Sequence, residues 1–422
     1  MHIVDENNNE FINETAFKII RCFDGSNTFE QAIDKLAELY KDKKENVKTI
    51  VEEFLLTLKN NYGIELIECE KKETSPVKVI GEVCYYPRAA SIEITERCNL
   101  KCLHCYGTFG EGCAHEMELD DIKKILRELD DVGVKIVELT GGDVSTYKYL
   151  YDVLEYALSL KFEKIHVLTN GIILNENIIN LIIDNKQRMG AQIDLHSLND
   201  EYLYWFTGAK NTINTIKERI TCLLNAGVEL RIATIFTRKN LHEFWDIAEW
   251  VSVHNGKWGV GLVENLGRAI LGDKDLHLTN DEVVKFDYTI AQAIEKYPNM
   301  ISVIDRDLYE YNCGAISTHV VINTKGDIKL CVMDDRTYFN NEMGNCLENS
   351  IKEIYDKKID FIYALAKYSL PDENNDECRK CEKLYACSRC LLRHLINIKQ
   401  KEYKCSWYIN NVPDEMKKHF FM

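Results

Sequence analysis

Apolar and polar positions follow different periods in successive parts of this chain. In the first 75 residues the spacing is helical: Val47, Ile50, Val51, Phe54, Leu55 and Leu58 share one helix face. A shorter helix is predicted from Thr15 to Phe23, stopped at Asp24-Gly25, and Thr28-Phe29-Glu30-Gln31 has the form of a capping box that opens another. The apolar pairs Ile3-Val4 and Phe11-Ile12 precede these helices, and a strand-like Ile64-Glu65-Leu66-Ile67 follows Gly63. Three helices with short flanking strands predict a winged-helix-like module over 1–75. Periodicity lapses around Pro76 and Pro87, two of only five prolines, so 76–90 reads as a linker.

From 91 to 300 strand and helix signals alternate. Strands are predicted near Ser91 to Thr95, Lys135 to Thr140, Lys164 to Thr169, Gln192 to Leu195, Glu229 to Phe236 and Gly259 to Val263, with amphipathic helix-length stretches between them. Six such units in succession predict an α/β fold, a parallel sheet with right-handed crossovers curled into a partial (β/α)6 barrel. Chemistry in such folds sits at the C-terminal ends of the strands. Over 301–422 regular periodicity fades while cysteines accumulate, which predicts a region poor in apolar core and held by metal.

Composition narrows the class. With 52 lysines and arginines against 68 aspartates and glutamates the net charge is −16, which repels a nucleic-acid backbone or an anionic membrane. No basic, apolar signal segment opens the chain and no 18-residue apolar run crosses a bilayer, so the expected location is cytoplasmic. In that compartment thiols stay reduced, and 16 cysteines point to metal rather than to disulfides.

Directly after the first barrel strand stands Cys98-Asn-Leu-Lys-Cys102-Leu-His-Cys105. At this cysteine frequency a C-x3-C-x2-C spacing is expected by chance about 0.02 times. Three thiolates on one short loop can take three corners of a 4Fe-4S cube and leave one iron open. A zinc site that borrows His104 or Cys113 is the alternative.

This loop resembles the signature of the radical SAM superfamily. The resemblance implies that S-adenosylmethionine chelates the open iron, and that reduction cleaves it to methionine and a 5′-deoxyadenosyl radical that takes hydrogen from substrate. Cys98, Cys102 and Cys105 are then the catalytic cluster ligands. Gly141-Gly142-Asp143-Val144 stands where the family usually has Gly-Gly-Glu-Pro, so Gly141 and Gly142 would let backbone approach the methionyl amino group and Asp143 would replace the glutamate. His104, Asn170 of Leu168-Thr169-Asn170-Gly171, and Asp194 complete the implied cofactor-binding set, Asp194 as a partner for the ribose. Asp194-Leu195-His196 and Phe206-Thr207-Gly208 also admit turn or core roles.

Further on, Cys313, Cys331, Cys378, Cys381, Cys387, Cys390 and Cys405 resemble the SPASM extension, with x2 where x3 is commonest between Cys387 and Cys390. Spacing alone also suits a zinc knot over 378–390. The resemblance implies two auxiliary 4Fe-4S clusters, hence three in all. One is enclosed by Cys378, Cys381, Cys387 and Cys405. The other is held by Cys313, Cys331 and Cys390, with an open iron or a fourth ligand such as Cys346. Of the remaining cysteines, Cys22 and Cys222 are placed on apolar helix faces, and Cys113 lies in a glycine-rich loop near the first cluster.

The module over 1–75 carries ten basic against sixteen acidic residues, which argues against DNA. It resembles the PqqD-like leader-recognition element of ribosomal-peptide maturases, on Phe11-Ile12-Asn13-Glu14-Thr15-Ala16 and Asp24-Gly25. Together the three regions resemble sactipeptide thioether synthases of the subtilosin A type. That implies a precursor peptide as partner, a flavodoxin- or ferredoxin-type reductant, and a thioether joining a cysteine sulfur to a backbone or side-chain carbon. The same architecture serves carbon–carbon crosslinking, other oxidations and epimerisation. A noncatalytic iron-sulfur or zinc protein that binds peptide is the reading from another class.

Overall fold

A computed structural model of the protein describes residues 2–4, 9–11, 14–23, 25–62, 86–112, 114–301, 314–334, 339, 343–367, 370–371, 373–387, 390–400, 405–412 and 414–418. The chain divides into two compact units, Met1–Tyr85 and Tyr86–Met422.

In the first unit β1 (His2–Val4) and β2 (Asn9–Phe11) pair antiparallel, with Ile3 opposite Glu10. Among the described residues three helices follow: α1 (Glu14–Cys22), α2 (Phe29–Tyr40) and α3 (Lys44–Tyr62). The capping box forms as expected. Gln31 N donates to Thr28 Oγ1 at 3.3 Å, and Thr28 N donates to Gln31 Oε1 at 2.9 Å. Ile19, Ile33, Leu36, Val47 and Val51 make the core, with Phe23, Phe29, Phe54 and Cys22 packed against it. The strand expected over 64–67 lies outside the described residues.

The second unit repeats strand and helix: β3 (Ala89–Thr95), α4 (Leu119–Asp131), β4 (Ile136–Gly141), α5 (Leu150–Ser159), β5 (Lys164–Thr169), α6 (Glu176–Asp184) and β6 (Met189–Asp194). It continues through α7 (Asp200–Thr207), α8 (Ile213–Asn225), β7 (Glu229–Phe236), α9 (Phe244–Val253), β8 (Lys257–Leu262) and α10 (Asn280–Lys296). Strands β3 to β8 are parallel neighbours in chain order, the expected α/β partial barrel. β6 begins earlier than its apolar run suggests, because Gly190 and Ala191 pair through backbone with both neighbours.

Each helix buries a stripe against the sheet. Ile122, Ile125, Leu126 and Leu129 of α4 are fully buried, each contributing about 1.5–3 kcal/mol before the cost of ordering. The buried face of α8 is Ile213, Ile216, Ile220 and Leu223, which leaves Cys222 about 100° off the stripe and exposed, not on the apolar face expected from sequence. The strands alternate. Ile92, Ile94, Val137, Leu139, Ile165 and Val167 are buried on one face, while Ser91, Glu93, Thr95, Glu138 and Thr140 bring polar groups to the other.

The sheet does not end at residue 300. β9 (His319–Ile322) pairs parallel with β3, and β10 (Ile328–Lys329) pairs antiparallel with β9, so the segment after the barrel covers the free edge of its first strand. Among the described residues seven helices follow: α11 (Ile351–Lys357), α12 (Ile359–Lys367), α13 (Asp376–Arg379), α14 (Leu384–Cys387), α15 (Leu391–Gln400), α16 (Ser406–Asn411) and α17 (Asp414–Lys417). The expectation of a region poor in apolar core is corrected here. Ile351, Ile354, Tyr355, Phe361, Ile362, Leu391, Leu392 and Tyr408 are all buried. Helices of four to ten residues are too short to show a 3.6-residue period in sequence.

Candidate active site

The cysteine loop leaves the C-terminal end of β3 and folds back beside it, with Glu96 N donating to His115 O at 2.8 Å and Met117 N to Ile94 O at 3.0 Å. Lys101 N and Leu103 N donate to Thr207 O and Phe206 O, tying the loop to the end of α7. Gly208 ends that helix in the left-handed conformation, and Phe206 is fully buried. Cys98, Cys102 and Cys105 are part-buried and line one cavity, together with His104, Gly141, Gly142, Asp143, Asn170 and Asp194. The structure therefore brings the whole predicted first-cluster and cofactor set to one place.

The wall from β4 depends on its glycines. Gly142 N donates to Thr95 O at 2.7 Å and Asp143 N to Arg97 O at 2.8 Å, so the strand end lies directly on the root of the cysteine loop. A Cβ at Gly141 or Gly142 would stand 2.2 Å from Thr95 O or 2.3 Å from Arg97 O. Asp143 is buried, and its carboxylate accepts from Ser145 N (2.8 Å), Thr169 Oγ1 (2.9 Å) and Asn170 N (2.7 Å). It thus braces the loop after β4 to the loop after β5. Asn170 Nδ2 in turn donates to Asn99 Oδ1, inside the cysteine motif, at 2.8 Å.

Across the cavity, burial and then the like charge of Asp143 push the Asp194 carboxyl up to about 7. His196 Nδ1 accepts from Ile235 N at 3.2 Å, which assigns the proton to Nε2, 3.9 Å from Asp194 Oδ2. His104 stacks on Phe206 with centroids 4.6 Å apart and meets His196 edge-on at 5.0 Å. Burial lowers His104 to about 4, and among the described residues nothing pairs with its Nδ1.

Sequence reasoning missed Arg268. It sits after β8 in the short helical turn Gly267–Leu271, lines the same cavity, and donates from Nε to Cys102 O at 2.9 Å. Only its position after a barrel strand signals it in sequence.

The donor chemistry fits an iron-sulfur group. Burial drives the Cys98 thiol up to about 11 and Cys102 well above its ordinary value, with Asp143, Asp194 and the neighbouring thiols adding repulsion. Three thiolates in such surroundings need metal cations between them, and iron at a cube's corners supplies that charge. The unpaired His104 Nδ1 and the polar wall from Asn170 to Asp194 suit a polar organic ligand beside the cluster.

Comparison with known proteins decides the family. Residues 92–251 match the radical SAM superfamily model, and 313–382 match the SPASM iron-sulfur cluster-binding domain. The chain belongs to the radical SAM superfamily. It is 28% identical, over 94% of its length and 88% of the relative's, to the antilisterial bacteriocin subtilosin biosynthesis protein AlbA of Bacillus subtilis. To the sporulation killing factor maturation protein SkfB of the same organism it is 24% identical, over 66% of this chain and 67% of that one. Among solved structures it shares the fold of Streptococcus suis SuiB bound to S-adenosylmethionine, with TM-score 0.60 and 15% identity over 94% and 92% of the two chains. A second structure of SuiB, bound to precursor peptide SuiA, gives TM-score 0.56 and 17% identity over 92% and 91%. A radical SAM domain binds a 4Fe-4S cluster and S-adenosylmethionine, and a SPASM domain binds further iron-sulfur clusters.

Within the SPASM region, Cys378 on α13 and Cys387 at the end of α14 are buried, while Cys381, Cys390 and Cys405 are part-exposed. α13 packs against α16, which Cys405 caps, and α14 against α15, whose first turn opens at Cys390 with His394 N donating to Cys390 O. Asn397 Nδ2 donates to Cys387 Sγ at 3.2 Å. Cys331 follows β10 and stands near Tyr106 of the cysteine loop. Cys346 is fully buried beside Lys124 and Glu128 of α4. Cys313 and Cys113 lie outside the described residues. No helix among the described residues is long and apolar enough to cross a membrane.

Proposed function

We propose that this chain matures a ribosomally made precursor peptide in the cytoplasm, forming thioether crosslinks between a cysteine sulfur and a backbone or side-chain carbon. The observation that carries the reading is likeness to the subtilosin biosynthesis protein across 94% of the chain, through both compact units. When bound, the cluster and S-adenosylmethionine supply a 5′-deoxyadenosyl radical able to remove hydrogen from carbon.

The chain's own residues bind and orient. Cys98, Cys102 and Cys105 hold three corners of the first cluster, and Gly141 and Gly142 bring backbone to its side. His104, Asn170 and Asp194 line the space for S-adenosylmethionine, which Asp143 frames by holding two loops together. Cys378, Cys381, Cys387 and Cys405 hold one auxiliary cluster, and Cys313, Cys331 and Cys390 another, so 91–300 is the radical domain and 301–422 the auxiliary one. Residues 1–75 take the leader as an added strand on the edge of the β1–β2 sheet, which raises the local concentration of the core peptide. Support for a peptide partner comes from SuiB, solved with its precursor peptide SuiA. A flavodoxin- or ferredoxin-type protein would supply the electron that cleaves S-adenosylmethionine; the carbon's hydrogen would pass to the adenosyl radical, the cysteine thiol would give up its proton, and the remaining electron would go to an iron-sulfur cluster of the chain.

The test is a search for short cysteine-containing reading frames near the gene, followed by anaerobic incubation of each encoded peptide with reconstituted enzyme, reductant and S-adenosylmethionine. Loss of two hydrogens per cysteine, with those cysteines no longer alkylatable, is expected. Loss of hydrogen with every thiol still free would overturn thioether formation in favour of another crosslink.

A further inference from the structure

The turn after β8 grips the cysteine loop from behind. Gly267 has φ 51°, and a Cβ there would stand 2.3 Å from Cys105 O and 2.4 Å from Tyr106 O, so backbone runs directly on backbone. Arg268 N donates to Cys105 O at 3.0 Å, and its Nε donates to Cys102 O at 2.9 Å. Both Nη atoms donate to Phe109 O, at 3.0 and 2.9 Å, and Nη1 also to Glu111 Oε1 at 3.1 Å. One residue thus holds the carbonyls of two motif cysteines and of the loop's far limb.

The same side chain carries charge. Arg268 is 15% exposed and lines the same cavity as Cys98, Cys102, Cys105, Asp143 and Asp194, with its Nε bonded to the carbonyl of Cys102. Glu111, half exposed, offsets it from the solvent side. A cluster that accepts an electron becomes more negative, so a cation fixed in a poorly solvated wall favours the reduced form. An arginine suits the post because its planar fork stays charged and reaches several acceptors at once.

We propose that Arg268 is a positioning residue that fixes the cysteine loop and, by its charge, raises the reduction potential of the cluster held there. This rests on the assignment of that cluster to Cys98, Cys102 and Cys105.

The test is a redox titration of the reconstituted full chain, following by electron paramagnetic resonance the signal that responds to added S-adenosylmethionine. Arg268→Gln is expected to shift its midpoint to more negative potential at wild-type iron content, while Arg268→Lys, which keeps the charge, stays near wild type. A wild-type midpoint in Arg268→Gln, or an equal shift in both variants, overturns the proposal. Should Arg268→Gln fail to retain iron, Glu111→Gln removes the half-exposed charge that offsets Arg268, keeps an acceptor for its Nη1, and moves the midpoint to less negative potential. An unchanged midpoint there overturns the proposal. The cluster assignment has its own control: the Cys98→Ala, Cys102→Ala, Cys105→Ala chain loses the responsive signal, and if the signal persisted the assignment would fail, not the role of Arg268.

Discussion

Asn170, at the end of the third barrel strand, donates from Nδ2 to Oδ1 of Asn99, inside the cysteine motif, at 2.8 Å. Asn170 N is itself held by Asp143, and Asn170 Oδ1 accepts from Ile172 N at 3.0 Å. Three loops at the ends of β3, β4 and β5 are therefore one hydrogen-bonded body, and Asp143 is its middle. Asp143→Ala orphans the buried N–H of Asn170, at about 1–3 kcal/mol, and the part-buried N–H of Ser145, at less. Chemical denaturation should show that loss, with weaker retention of iron at the cysteine loop. Asn99→Ala removes one bond between side chains and should cost about 0.5–1.5 kcal/mol.

Gly142→Ala tests the close approach of β4 to the cysteine loop. The atom that a new Cβ would strike, 2.3 Å away, is backbone Arg97 O and cannot swing aside. Destabilisation of at least about 1–3 kcal/mol is expected, with loss of the first cluster's iron. Gly112→Ala is the contrast: its φ is 64° but among the described residues nothing lies within 4 Å, so only the backbone strain of about 1–2 kcal/mol remains. Equal iron loss in the two variants would refute the steric account.

The acid dependence of the apo chain should carry two opposed terms. Asp194 has its carboxyl raised to about 7, so the folded state holds that proton more tightly, and its contribution declines as pH rises from about 4 to 7. His104 is lowered to about 4, so its contribution is present above about 6.5 and is lost as pH falls toward 4. Asp194→Asn should therefore remove a component that falls with pH, and His104→Phe, which keeps a ring on Phe206, one that rises. Denaturant titrations of each variant against wild type at pH 4.5 and 7 separate them, and parallel curves for both would sink the account.

Much of this was readable in the sequence because it is local. The strands, the Thr28 capping box and the C-x3-C-x2-C loop are each written within a dozen consecutive residues. What could not be read joins distant segments. Arg268 reaches carbonyls more than 150 residues upstream, and β9 completes the edge of β3 from beyond the barrel. Gly141-Gly142-Asp143 was legible as a motif but not in its detail, since the bonds by which Asp143 joins the neighbouring loops come from residues outside it.

Lys329 shows the energetic weight of such distant joins. Its ammonium, on β10, donates to Glu93 Oε1 of β3 at 2.7 Å and to Val332 O at 2.9 Å, with the two charged side chains 6% and 4% exposed. Tyr106, beside the last motif cysteine, directs its hydroxyl to the same Glu93 oxygen at 3.3 Å, and the ammonium lies 5.1 Å from its ring centre. Lys329→Met leaves Glu93 buried without its cation, for a loss of about 3–5 kcal/mol. Replacing both, as Lys329→Met with Glu93→Leu, removes the stranded charge as well and should recover most of that loss, although Tyr106 then gives up an acceptor. A double-mutant cycle by chemical denaturation measures the coupling. If the double variant were as unstable as the sum of the singles, the pair would not be acting as a unit, and β10 would be joined to β3 only through β9, where Ile322 stands in register with both Ile328 and Ile92.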